Sequence, residues 1–187
     1  MKELRLTVPK ITHLSIQHDI APLTISTTET SRSEATGIKL LRIWQRCANL
    51  PLGNRIFSRI LGAVIPYTGS IRARVVHLEP GHAIVVLKDR RRVRNHLNSV
   101  HAIALANMAE LSTGLAMISG LPKGVNGILV GLQVSYEKKA RGELRAECKC
   151  SVPTGNDRQQ LAIDTEIKDL AGDVVTRATA TWQVGPR

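Results

Sequence analysis

Asn95-His96-Leu97-Asn98-Ser99-Val100-His101-Ala102-Ile103-Ala104-Leu105-Ala106-Asn107-Met108-Ala109-Glu110-Leu111-Ser112-Thr113-Gly114-Leu115-Ala116-Met117-Ile118-Ser119 is the stretch whose reading decides the fold. A polar, turn-prone loop feeds a run of small and apolar residues that carries one carboxylate, Glu110. On a 3.6-residue period Ala104, Met108, Leu111, Leu115 and Ile118 line one face. Ile103, Asn107, Glu110 and Gly114 line a second, with Thr113 beside it. A helix with no charged stripe is a buried helix. An acid on it is costly unless it is paired or functional. Gly120-Leu121-Pro122 supplies the stop signal.

On either side of this helix the period changes to two. Before it, Ile71, Ala73 and Val75 oppose Arg72, Arg74 and Val76. Glu79-Pro80-Gly81-His82 makes a turn in which Gly81 takes the positive φ, and His82 to Lys88 returns as a second strand. After it come four alternating segments. Ile128, Val130, Leu132, Val134 and Tyr136 share a face in the first, and Leu144, Ala146, Cys148, Cys150 and Val152 in the second. Leu161, Ile163, Thr165 and Ile167 do so in the third, and Val174, Thr176, Ala178, Ala180 and Trp182 in the fourth. Strict alternation indicates an antiparallel sheet with one face buried. One buried helix among six strands is best covered if the sheet curls around it, so the expected class is α+β. Residues 38–65 read as a helical lead-in broken at Pro51-Leu52-Gly53 and carrying Lys39, Arg42, Arg46, Arg55 and Arg59. It is expected to pack as a flank on the domain, with peripheral contact to anionic lipid as the alternative. Residues 1–37 read as a loosely attached extension with one short strand around Leu4, Leu6 and Val8.

The 187 residues suit one core. No apolar run reads as long enough to span a bilayer. The first ten residues lack a secretory layout, and three cysteines without metal-like spacing suit reduced thiols, so a cytoplasmic location is expected. A net charge of +11 predicts attraction to polyanions: nucleic acid, an acidic membrane or a phosphorylated ligand. Interleaved aromatics and reading motifs are missing, which argues against nucleic acid.

Three local patterns carry a resemblance. Pro66-Tyr67-Thr68, the loop from Arg94 through Asn95-His96 to Ala102 and on to Glu110-Leu111, and the turn Lys138-Lys139-Ala140-Arg141-Gly142 resemble the acyl-CoA thioesterase branch of the hotdog superfamily. Within it the resemblance is nearest to hotdog domains of unassigned function, and it covers the chain from about residue 38 onward. The fold implied is a single hotdog domain, residues 38–187, in which a curved antiparallel sheet wraps a long central helix. In related thioesterases an Asn precedes a His by six positions and an acid follows that His by nine, as Asn95, His101 and Glu110 do here. Ala102 stands where the family has Gly, and the backbone N–H is common to both.

The resemblance implies hydrolysis of a fatty or other apolar acyl-CoA, with coenzyme A as part of the substrate and no separate cofactor or metal. Glu110 would be general base or nucleophile, its pKa raised by burial. The Ala102 N–H, at the helix N-terminus, would stabilise the oxyanion. Asn95 would position the carbonyl or a water, and His101 would orient the loop. Asn107 and Thr113 would be substrate-binding, Thr113 being placed to hydrogen-bond Glu110 or merely to pack, while Arg94, Lys138, Lys139 and Arg141 would meet the coenzyme A phosphates. Glu110 is too far along one helix to reach His101 directly, so the resemblance implies a site shared across a homodimer or a dimer of dimers. Structural roles compete for each residue: a cap for His101, a turn for Asn95, a bond to Asn107 for Glu110. The alternatives are an acyl-CoA binding or sensing module without turnover, and a hotdog dehydratase or hydratase.

Overall fold

A computed structural model describes residues 36–186. The expected extension, residues 1–37, therefore lies outside the described residues except for its last two, which already begin a helix. Three helices lead in: α1 (Thr36–Ala48), α2 (Gly53–Val64) and the short α3 (Pro66–Ser70). Strands β1 (Arg74–Glu79) and β2 (His82–Leu87) precede the long α4 (Ala102–Gly120). Strands β3 (Val125–Tyr136), β4 (Leu144–Lys149), β5 (Gln159–Lys168) and β6 (Val174–Pro186) follow it. The strands form one antiparallel sheet in the order β1-β2-β4-β5-β6-β3. All six touch α4. This is the hotdog arrangement that the strand–strand–helix–four-strand order calls for.

The core forms where α4 meets the inner face of the sheet. Met108, Ala109, Ala116 and Met117 on the helix are sealed from solvent, as are Ala83, Val85 and Leu87 of β2, Ala146 and Cys148 of β4, and Ile167 of β5. By length and composition α4 alone would suffice to cross a bilayer, contrary to the expectation for this chain, but the sheet buries most of it. Gly114 serves this packing. A Cβ there would come within 3.0 Å of the Trp182 ring, so glycine lets β6 lay its indole on the helix. The Trp182 Nε1–H then donates to Thr113 Oγ1 at 3.3 Å. The β1–β2 turn is built as its residues require, with Gly81 at φ 79°. Cys47, Cys148 and Cys150 are free thiols, and the first two are buried as small core residues.

Three details depart from simple alternation. Residues after Pro66 do not start a strand at once: Pro66–Ser70 is helical, with proline in the first turn where its missing N–H costs nothing. Arg72 takes a left-handed φ of 47°, so the strand begins only at Arg74. In β1 the register slips between Val75 and His77, leaving Val76 as an extra residue. Val75 and Leu78 both turn inward, while His77 and Glu79 are less buried. In β3 a similar slip at Val130 reverses the phase. Ile128 and Val130 are 68% and 54% exposed, not core residues, and Leu129 turns toward the core in their place.

The lead-in helices pack on the domain as a flank. Phe57 is 1% exposed and meets the Trp44 ring edge-on at 5.0 Å. The outer side of α2 leaves Leu52, Ile56, Ile60 and Val64 exposed. Phe57→Ala is expected to destabilise the domain by about 3 kcal/mol, read from urea unfolding midpoints. A shift within error of zero would mean that α2 is not part of the cooperative unit.

Candidate active site

The loop before α4 is a closed turn. A bridge between Arg94 and Val100 pinches its ends. Inside it the Asn95 N–H donates to Ser99 O at 2.8 Å, and Asn98 adopts φ 53°. Asn95 Oδ1 accepts from the N–H groups of Leu97 (2.9 Å) and Ser99 (3.2 Å). That oxygen is therefore committed to the turn, and only the side-chain amide Nδ2 is left for a substrate.

The turn is anchored on its far side by the Lys138–Gly142 segment. Buried Ala140 accepts from Val100 N at 2.8 Å and from Ser99 Oγ at 2.9 Å. Asp89 ties the two together: it accepts from Arg94 Nε at 2.6 Å and from the Gly142 N–H at 3.1 Å. These bonds hold the Asp89 carboxyl below its ordinary pKa range, the Arg94 contact first among them. Arg141 Nε donates to Asn98 O at 3.3 Å. Two stretches whose bonded residues Ser99 and Ala140 are 41 apart in sequence thus bring Arg94 and Arg141 together, with Lys139 on the same turn as Arg141. Lys138 is held more completely: Asp169 and Asp173 grip its ammonium at 2.7 and 2.6 Å, which removes it from the set expected to meet a ligand phosphate. Arg94, by contrast, gives Asp89 its Nε and keeps its two terminal amino groups.

His101 caps α4. Its Nδ1 accepts from the Ile103 N–H at 3.1 Å, so the neutral ring carries its proton on Nε2. The His101 carbonyl takes the N–H groups of Ala104 and Leu105. Ala102 N–H is the first-turn donor that finds no acceptor among the described residues. Its own carbonyl accepts from Tyr136 Oη at 3.1 Å. A helix N-terminus with one free N–H is a ready oxyanion donor.

Further along the helix the polar residues divide. Ser112 bonds to Ala109 O and Thr165, and Ser119 to Glu79 O and Ala116 O. Thr113 is fully buried. Its hydroxyl donates toward the Ala109 and Glu110 carbonyls and receives Trp182, so it serves packing instead of lining an acyl site. Asn107 Nδ2 donates to Tyr67 O at 3.1 Å, but its buried Oδ1 has no partner. The Glu110 carboxylate has no hydrogen bond or ion pair among the described residues, so the competing structural role, an acid satisfied by Asn107 or a backbone group, is not filled. Half-buried, Glu110 has its pKa raised by desolvation. With Ile103, which is 55% exposed, and half-buried Ala106, it forms the one strip of α4 that the sheet leaves uncovered.

A cleft of about 240 Å³ opens beside this strip, lined among others by Tyr67, Arg92, Arg94, His101, Ile103 and Asn107. Glu110 and Asn95 lie outside its lining. A larger hollow of about 530 Å³ lies on the outer side of the sheet around Asp164, Glu166, Arg177 and Thr179. Arg177 is bonded to Glu166 and Thr179 to Asp164, so the charged groups of that hollow are paired across its floor. Among the described residues the one group of candidate metal ligands is on the β1–β2 hairpin, away from the cleft.

Residues 53–184 match a family described as a domain of unknown function (DUF4442). The structural-genomics protein APC5556 is 32% identical, with a TM-score of 0.69 over 80% of this chain and 99% of its own. A Pseudomonas aeruginosa protein of unknown function, called a probable thioesterase, is 21% identical, with a TM-score of 0.62 over 74% of this chain and 97% of that one. A hypothetical thioesterase from Streptococcus pneumoniae, crystallised with coenzyme A, is 21% identical, with a TM-score of 0.56 over 67% and 98%. The last two likenesses establish the fold. No curated protein matches the chain.

The raised pKa of Glu110 makes a stability prediction. Folding disfavours its ionised form, so the penalty is absent well below the ordinary value of 4.5 and grows as pH rises toward the folded-state pKa. Glu110→Gln is therefore expected to raise Tm at pH 7 by a few degrees and to leave it unchanged at pH 3.5. Equal Tm values at both pH values would show that the carboxylate is not strained by burial.

Proposed function

The chain belongs to the DUF4442 family, and on that premise we propose that it hydrolyses the thioester of an acyl-CoA. The observation that carries the reading is the uncovered strip of α4. It has an unbonded N–H at Ala102 on one end and an unpartnered acid at Glu110 on the other.

Eight residues of helix separate these groups by about 12 Å, so one chain cannot bring them to the same carbonyl. Two chains can. In a contact with two-fold symmetry, residue i of one copy meets residue j of the other and the reverse. Antiparallel α4 helices crossing near Ala106, midway along the strip, would set each Ala102 opposite the other copy's Glu110. Ala106 is small enough to permit close approach. The exposed Ile103 and the edge strand β3, with its exposed Ile128 and Val130, supply apolar surface for that contact.

In the proposed site the thioester carbonyl oxygen receives the Ala102 N–H at the positive end of α4, a donor already oriented before negative charge develops. Glu110 of the partner subunit takes a proton from water as the water oxygen adds to the carbonyl carbon; collapse of the oxyanion breaks the C–S bond, and the proton passes to the departing coenzyme A thiolate. In the direct route Glu110 itself displaces the thiolate, and water then cleaves the resulting anhydride. Desolvation makes Glu110 a stronger base than a surface carboxylate. The His101 Nε2–H and the Asn95 Nδ2 are the remaining donors at the loop. Arg94, Arg141 and Lys139 form the rim that would receive the phosphates, and the acyl chain would enter the cleft between Tyr67, Ile103 and Asn107. Coenzyme A bound to the Streptococcus pneumoniae neighbour supports this ligand class.

Binding without turnover is the second reading, favoured by the commitment of Asn95 Oδ1 to its own turn. Assays against short-, medium- and long-chain acyl-CoAs separate the two. Glu110→Ala is expected to abolish hydrolysis while leaving the dimer intact. Ala102→Pro is a sharper probe. It deletes only the free N–H at a helix position that accepts proline, after a residue already extended at ψ 139°. It should lower kcat by about 10²–10³-fold with little change in Tm. Acyl-CoA binding with no hydrolysis by the unaltered protein would give the second reading; an active Ala102→Pro enzyme would remove the oxyanion assignment.

A further inference from the structure

We propose that His77, Glu79 and His82 form a site for a divalent transition metal on the outer side of the β1–β2 hairpin, with Zn²⁺ as the reference ion. The hairpin turn meets the C-terminal end of α4: the Gly81 N–H donates to Ala116 O, and Ser119 Oγ donates to Glu79 O. His101 caps the other end, about 27 Å away by helix rise. The site is therefore separate from the thioester-cleaving residues and does not depend on them.

Three donor atoms converge. His77 Nε2 lies 3.4 Å from Glu79 Oε1, and His82 Nδ1 lies 3.2 Å from the same oxygen. All three lie within 4.8 Å of one another. Ligands at about 2.0–2.1 Å from a tetrahedral zinc are about 3.3 Å apart, so two of the three edges already have that length. Two imidazoles and a carboxylate suit zinc and its first-row neighbours, and three protein ligands leave one position for water.

The bonding around the cluster points the same way. His82 Nε2 is 2.9 Å from Glu147 Oε1 on β4. His82 Nδ1 is also within hydrogen-bonding distance of Glu79 Oε1 at 3.2 Å; with the ring proton kept on Nε2 and donated to Glu147, a metal ion would take the place of the Nδ1 proton. A histidine held from behind by a carboxylate is the usual arrangement for an imidazole ligand to zinc. His77 Nε2 is shielded from solvent and faces Glu79 Oε1 at 3.4 Å without a well-formed hydrogen bond. The two rings lie 4.4 Å apart. Two imidazole nitrogens and a carboxylate oxygen turned to one point can be joined by ring protons, as between His82 and Glu79, or by a metal ion that replaces those protons.

The bulge at Val76 creates the site. Without the extra residue His77 and Glu79 would follow Val75 onto the inner face; with it they turn outward beside His82.

The test is calorimetric titration of the untagged full-length chain with Zn²⁺, repeated with Co²⁺ to read the visible absorption of its coordination sphere. One site per chain is expected, with tetrahedral Co²⁺ bands. His77→Ala and His82→Ala should each abolish it, and Glu147→Gln should weaken it by about tenfold. His77 and His82 are half-buried and Glu147 is exposed, and unchanged metal-free Tm values will show that the variants fold. The other four histidines, His13, His18, His96 and His101, are intact in a variant that carries both His77→Ala and His82→Ala. Zinc binding that survives in it, or no binding by the unaltered chain, would overturn the proposal.

Discussion

An almost entirely apolar helix must be covered on every side, and the rest of the structure follows from how that is done. Six strands and α1 close on α4 from different directions, and the residues that permit contact are small: Gly114 under Trp182, and Ala109 and Ala116 sealed in the core. Burial of apolar surface is nondirectional and scales with area. It therefore explains that the sheet curls, while the small residues decide how closely each strand approaches.

Against that background the polar residues of α4 fall into two groups. Ser112, Thr113 and Ser119 are satisfied by carbonyls and neighbouring hydroxyls, so they cost little. Asn107 Oδ1 and the Glu110 carboxylate are not satisfied. Unsatisfied polar groups a turn apart, beside the only strip that the sheet leaves open, are what a binding or reactive surface looks like. A free N–H on the first turn of the same helix completes it. The basic rim comes from elsewhere, through the bonds that Ala140 and Asp89 make between two distant loops.

Two single-residue bulges determine which side chains face outward. Val76 in β1 sends His77 and Glu79 outward to join His82. Val130 in β3 exposes apolar residues along an edge strand. An edge strand with exposed isoleucine and valine would gain from a partner, through both its unpaired backbone and its side chains. In each case one extra residue shifts the pleat without disturbing the inner packing.

The order of elements, the burial of α4, the Gly81 turn and the candidate trio Asn95, His101 and Glu110 were legible in the sequence. Each rests on a local property: hydrophobic period, turn chemistry, or a spacing shared with the thioesterase branch of the hotdog superfamily. What the tertiary structure decided depends on groups far apart in the chain. Lys138 reads as a free cation until Asp169 and Asp173 are placed against it, and Thr113 as a ligand contact until Trp182 arrives over it. The bulges were invisible because alternation continues on both sides of an inserted residue, and only cross-strand register shows the slip. His77, Glu79, His82 and Glu147 belong together for the same reason: pairing of β1, β2 and β4 brings their atoms within bonding range, and that pairing is a long-range property that no local pattern encodes.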